Sequence, residues 1–83
     1  MEKDVLTMPR LRPEMTSGVL VAWLKAPGEP FVAGEALFEV ETDKVVNQIE
    51  ATHAGTLLKQ FVEEGDEVAV GAAIAEVEAS VEA

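Results

Sequence analysis

Eighty-three residues set the scale of one small domain, too short to bury a core and also hollow out a large catalytic cleft. Sixteen acidic residues against six basic ones give a formal charge of −10, which excludes nucleic acid and anionic membrane surfaces as partners, because binding either would bring like charges together. With no cysteine there is neither a disulfide framework nor a thiolate metal site, and no apolar run approaches the length of a membrane span. An intracellular chain whose copies repel one another, and which is monomeric in isolation, is the expectation.

In chain order, residues 4–8 read as a first short strand that Pro9 ends by removing a ladder donor. Residues 10–17 hold Arg10, Arg12 and Pro13 and read as a surface loop. Residues 18–24 (GVLVAWL) form a core strand, followed by a strong turn at Pro27-Gly28 and a weaker one at Gly34-Glu35. Residues 37–41 and 45–51 make a central hairpin. Residues 55–62 are a further strand, Glu64-Gly65-Asp66 turns the chain, and residues 73–78 close it. Frequent Gly and Pro, many β-branched residues and no sustained 3.6-residue period predict an all-β fold. Leu37 and Val40 both have core character, yet residues three apart face opposite sides of a regular strand. A bulge, or a strand that starts only at Phe38, would reconcile them.

An internal repeat organises the whole chain. A shift of 37 positions lays Gly18, Gly28 and Gly34 on Gly55, Gly65 and Gly71, Leu20 on Leu57, and Leu37 on Ile74; Glu39-Val40-Glu41 falls on Glu76-Val77-Glu78. Glycines in register imply the same special backbone positions twice, through positive φ or close approach. Two copies packed face to face about a pseudo-twofold axis give a small sandwich or flattened barrel. The stretch joining the copies, Glu41-Thr42-Asp43-Lys44-Val45, then lies at one extremity and the chain ends at the other.

Asp43 and Lys44 are the right number of residues for a two-residue hairpin connection. Neither is glycine, so a primed turn is costly and a type I-like turn from Thr42 is expected. Such a turn lifts Lys44 into solvent on a fixed platform, with the carboxylates of Glu41 and Asp43 beside its amine. That arrangement suits acylation by an enzyme that must grasp a lysine. Lysine suits the task because its amine forms a stable amide and its stem extends the reach of what it carries.

With these residues in place, the sequence resembles the lipoyl domains of 2-oxoacid dehydrogenase complexes, of the biotinyl/lipoyl-attachment family. The match runs from Met8 to about Val77 through Met8-Pro9-Arg10-Leu11, Met15-Thr16-Ser17-Gly18, Pro27-Gly28-Glu29, Glu41-Thr42-Asp43-Lys44 and Val62-Glu63-Glu64-Gly65-Asp66. The resemblance implies a flattened barrel of two four-stranded antiparallel sheets over residues 1–79, with 80–83 beginning a flexible linker or tail. It implies lipoic acid in amide linkage to Lys44, with Glu41, Thr42, Asp43 and Val45 as recognition context. Such a swinging arm is reductively acylated by a thiamin-dependent 2-oxoacid dehydrogenase component. It delivers the acyl group to an acyltransferase core and is reoxidised by a flavin-dependent dihydrolipoamide dehydrogenase, after a lipoate-attaching enzyme has loaded it. The domain itself would be a non-catalytic part of a dihydrolipoamide acyltransferase, in a bacterial cytoplasm or a mitochondrial matrix. Asn47 departs from the family by standing where an inward aliphatic residue is usual, and Pro30 alters the turn after Pro27-Gly28.

Other residues carry weaker signals. His53 lacks a ligand set for a metal, Ser17 and Ser80 lack a nucleophile context, and Glu39 and Glu76 fit solvated strand faces. Trp23 and Phe38 are expected in the core; for Arg10 and Arg12 a plain solvated loop is preferred to a partner-docking loop near Lys44. A biotin carboxyl carrier domain is the nearest rival, but the family pattern there has methionines flanking the lysine, where this chain has Asp43 and Val45. An unmodified β-sandwich adaptor is the rival of a different class.

Overall fold

Residues 3–79 are described by the computed structural model. They form eight strands: β1 (Lys3–Thr7), β2 (Ser17–Trp23), β3 (Pro30–Phe31), β4 (Ala36–Thr42), β5 (Val45–Glu50), β6 (Gly55–Gln60), β7 (Glu67–Ala69) and β8 (Ala73–Ala79). Two four-stranded antiparallel sheets result, in the orders β1-β8-β6-β3 and β5-β4-β2-β7. Each sheet is thus the other with strand numbers shifted by four, which is the pseudo-twofold relation of the repeat. β3 and β7 were not visible as strands in the sequence, because two or three residues are too few to show alternation. Pro30 is harmless in β3, an edge strand whose outer side forms no ladder.

The core is assembled from repeat-equivalent pairs. Leu20 and Leu57, Leu37 and Ile74, and Val40 and Val77 are all buried between the sheets. Two pairs are unequal in size: Phe31 occupies the position of Val68 and Phe38 that of Ala75, and all four are buried. The extra volume of Phe38 is met by the half-buried Trp23, with ring centroids 5.7 Å apart and planes tilted by 60°. The indole N–H donates to the carbonyl of Val62 at 3.2 Å, satisfying the one polar atom of that ring.

Bulges reconcile the burial of Leu37 with that of Val40. The ladder between β4 and β5 slips between Ala36 and Phe38, so Leu37 is the extra residue and Leu37 and Phe38 both turn inward. The β8 strand slips against β1 at the equivalent Ile74. A second equivalent pair lies at Val21 against β4 and Leu58 against β8. Bulges bend strands and raise their twist, which lets two small sheets wrap a common core.

The repeat-aligned glycines divide by cause. Gly34 and Gly71 sit at φ +88° and +89°, and Gly28 and Gly65 likewise hold positive φ. Gly18 and Gly55 are instead points of close approach: a Cβ on Gly55 would stand 2.6 Å from the Glu78 carbonyl oxygen.

The inner end of the β4–β5 hairpin, where Ala36 faces Glu50, lies one short connection (51–54) from Gly55, which pairs with Ala79. The described ends of the chain therefore lie at the opposite pole from the Thr42–Val45 turn, along the 40 Å long axis. The two halves differ most in one connection. Nine residues (8–16) join β1 to β2, against four (51–54) joining β5 to β6. The additional chain turns toward the hairpin tip.

Candidate functional site

Antiparallel pairing of Thr42 with Val45 leaves Asp43 and Lys44 as a two-residue connection at the end of β4 and β5. Both have positive φ, 46° and 66°, the signature of a type I′ turn. The type I-like turn expected from the sequence is not formed. Types I and II would splay the strands, whereas the mirror-image turn matches their right-handed twist, and the ladder on both sides holds the turn against its local preference. Positive φ at a non-glycine residue costs of order 1 kcal/mol or more, so the tip stores strain at the residue sequence reasoning singled out.

Lys44 is exposed, and among the described residues its amine enters no ion pair. Thr42 is buried beneath it, while Val45 and Val46 are about half exposed on the following strand. Glu41 is exposed on β4. The Asp43 carboxylate does not serve Lys44, as the sequence suggested; it is held by the guanidinium of Arg12. A polar hollow of about 350 Å³ opens on one side of the turn, lined in part by Arg12, Ser17, Glu41, Asp43 and Glu67. On the other, a small cleft of about 150 Å³ is bounded by Leu11, Arg12, Thr42, Val45 and Asn47. Asn47 is only half-buried at its rim.

The 8–16 loop is not the plain solvated loop its composition suggested. Met15 is buried in the core and its N–H donates to the Arg12 carbonyl at 3.1 Å. Arg10 donates through one Nη to the carbonyls of Pro13 and Met15, at 3.1 and 2.7 Å. The Leu11 N–H points at the Met15 sulfur, 3.2 Å away. These bonds fix the loop from within and present Arg12 to the hairpin.

The remaining candidates have structural uses. Ser17 donates its hydroxyl to Glu67 at 2.8 Å, tying β2 to β7. Glu39 and Glu76 lie in different sheets and are half-buried; Glu39 accepts a bond from Gln48 at 3.2 Å. His53 is exposed in the 51–54 connection at the far pole, where its Nδ1 lies 3.0 Å from the Ala54 carbonyl oxygen. Lys25 follows β2 in a loop and pairs with Glu35 at 2.7 Å. Lys3 and Lys59 are exposed but lie within ladders. Ser80 falls outside the described residues. No group of three His, Cys, Asp or Glu side chains suited to a metal ion occurs among the described residues.

Residues 4–77 match the sequence pattern of the Biotin_lipoyl family, described as "Biotin-requiring enzyme". The chain belongs to this family. Its curated relatives lie on the lipoyl side of it. The chain is 46% identical over 69 residues to a dihydrolipoyllysine-residue acetyltransferase component of the pyruvate dehydrogenase complex of Zymomonas mobilis, covering 82% of this chain and 16% of that protein. A mitochondrial protein of the same description from Neurospora crassa is 46% identical over 72 residues, or 86% of this chain and 16% of the relative. A succinyltransferase component of the 2-oxoglutarate dehydrogenase complex of Staphylococcus saprophyticus is 43% identical over 70 residues, again 16% of its length. The chain therefore spans only a small part of each. The solution structure of the lipoyl domain of the Azotobacter vinelandii 2-oxoglutarate dehydrogenase complex superimposes with a TM-score of 0.74 at 29% identity, covering 88% of this chain and 92% of that one. A long-chain acyl-CoA carboxylase shares the fold, at a TM-score of 0.79 and 21% identity over 98% of this chain and 7% of that one.

Proposed function

We propose that the chain is a lipoyl carrier domain whose Lys44 bears lipoic acid in amide linkage. One observation carries the reading: in a chain of this family, Lys44 stands exposed, with no ion pair among the described residues, at the apex of a two-residue turn that the flanking ladder holds in a strained conformation. The site fits the group, since among the described residues no carboxylate pairs with the amine and the turn lies at the pole opposite the described chain ends. Lipoic acid there would supply a dithiolane that accepts acyl groups as thioesters and electrons as a dithiol. The chain itself does the positioning. The β4–β5 ladder fixes where the amine stands and holds the strained turn against its alternatives, and Glu41, Thr42, Asp43 and Val45 surround it as the surface a lipoate-attaching enzyme meets. Asp43 and Val45 in place of flanking methionines favour lipoate over biotin.

The partners proposed are a thiamin-dependent 2-oxoacid dehydrogenase component, an acyltransferase core and a dihydrolipoamide dehydrogenase. A charge of −10 favours docking onto partners that present basic surfaces, by attraction before contact. The carrier unit is residues 1–79 and works in a bacterial cytoplasm or mitochondrial matrix; the linker or tail expected at 80–83 lies outside the described residues. It carries the acyl group without catalysing the transfer itself. The test is intact mass and peptide mapping after co-expression with a lipoate-attaching enzyme. One lipoyl group on Lys44, lost in a folded Lys44→Arg variant, is the expected result. A lipoyl group on Lys3, Lys25 or Lys59, or a biotinyl group on Lys44, would overturn the proposal.

A further inference from the structure

The longer of the two equivalent connections reaches the hairpin tip through one side chain. Arg12 extends Nη2 to the Asp43 carboxylate and brings Nε within 4.0 Å of Glu14. Its Nε is shut off from solvent without a hydrogen-bond partner of its own. A buried unsatisfied donor is a cost, which the contact with Asp43 offsets. The backbone of Arg12 is already committed, because its carbonyl accepts from the Met15 N–H and Met15 is anchored in the core. Less chain entropy is then lost in placing the guanidinium than for a side chain on a free loop.

Asp43 and Lys44 share the strained turn. A conformation that relaxed φ at these residues would turn the Asp43 carboxylate away from Arg12 and shift Lys44 with it. The primed turn is the geometry in which the ladder and the ion pair are both formed. We infer that Arg12 is a positioning residue for Lys44: its ion pair with Asp43 biases the turn toward the one geometry in which the lysine amine stands where a modifying enzyme meets it. The inference rests on the reading of Lys44 as the lipoylation site. It assigns Arg12 no contact with lipoate, and it does not make Arg12 necessary for folding, since Arg10 and Met15 hold the loop without it.

The pair is partly exposed, with side-chain accessibilities of 40% and 69%, so its bias is modest. Replacing Arg12 by glutamine should slow lipoylation of the apo-domain by about two- to fivefold, the range that exposed ion pairs can shift a population. The thermal midpoint should barely move. Arg12→Lys, which restores the charge, should recover most of the rate. The gap between wild type and Arg12→Gln should close at about 1 M salt, where the screening length falls to about 3 Å. Arg12→Gln and wild type reacting at one rate at low salt, or Arg12→Lys as slow as Arg12→Gln, would overturn the inference. Backbone amide relaxation of the unmodified domain reads the turn independently of any enzyme. Greater mobility of the Asp43 and Lys44 amides in Arg12→Gln is expected, and unchanged relaxation refutes the idea. Wild-type protein that took up no lipoyl group would instead sink the proposed function, with the relaxation comparison still deciding the role of Arg12.

Discussion

Gly18 and Gly55 are equivalent in the repeat and are both buried, yet adding one methyl group should damage them unequally. At Gly55 an alanine Cβ would meet the Glu78 carbonyl oxygen at 2.6 Å and Phe31 Cζ at 2.9 Å. The oxygen belongs to β8, which is bonded on both sides, to β1 and to β6, so it cannot yield without breaking a ladder. At Gly18 the nearest atoms are side-chain ends: Val40 Cγ1 at 2.7 Å, Met15 Cε at 3.1 Å and Met8 Sδ at 3.3 Å. Two of the three belong to methionines, which repack readily, though Val40 is stiff at χ1. Overpacking costs about 1–3 kcal/mol, with Gly55 at the upper end and Gly18 near the lower. Alanine returns roughly 0.4–1 kcal/mol by restricting the unfolded chain. The net expectation is a loss of about 2–3 kcal/mol for Gly55→Ala and about 1 kcal/mol or less for Gly18→Ala. For a domain of this size, each kcal/mol moves the thermal midpoint by roughly 4–8 °C. Urea titrations of both variants, with m values compared to wild type, give the measurement. Gly18→Ala as destabilising as Gly55→Ala would refute the argument that a fixed carbonyl and a mobile side chain differ as neighbours.

Three further outcomes follow from the tip and from the far loop. Lys44→Gly should raise stability by about 0.5–1 kcal/mol, because glycine accepts φ 66° without strain, while abolishing the attachment site; a lower urea midpoint would show that the turn is not strained. One glycine inserted between Asp43 and Lys44 should leave the domain folded, since one more loop residue costs well under ~0.6 kcal/mol, but should cut the lipoylation rate sharply; modification at the normal rate would mean that an exposed lysine suffices. The Glu35 carboxyl is held below its ordinary value of 4.5, first by the hydrogen bond from Lys25 and then by that from the Val32 N–H. Its contribution is therefore present above about pH 4.5 and lost as pH falls through the lowered value. Lys25→Gln should be less stable than wild type near neutrality and should converge on it in acid; a difference independent of pH would exclude this origin.

The glycine register and the two-residue connection at Asp43-Lys44 carried the fold and the candidate site in the sequence alone. Both are local: a glycine marks backbone that other residues avoid, and two residues between apolar stretches mark a hairpin. Repetition of the first signal at 37 positions also implied the pseudo-twofold axis, and with it the placing of Lys44 at the pole opposite the chain ends. Four features needed the tertiary structure. The turn is primed because the twist of β4 and β5 outweighs the preference of Asp43 and Lys44, and twist belongs to the sheet rather than to any residue. The bulges at Val21, Leu37, Leu58 and Ile74 arise because each strand must follow two neighbours at once, so the sequence offered a bulge or a later strand start for Leu37 and Val40 without deciding between them. β3 and β7 exist only through their partners, since two or three residues have no periodicity to read. Arg12 reaches Asp43 across 31 positions of chain because the connection before β2 is longer than its twin. That length difference was visible in the sequence, but the direction in which the extra residues turned was decided by the burial of Met15 and the hydrogen bonds of Arg10.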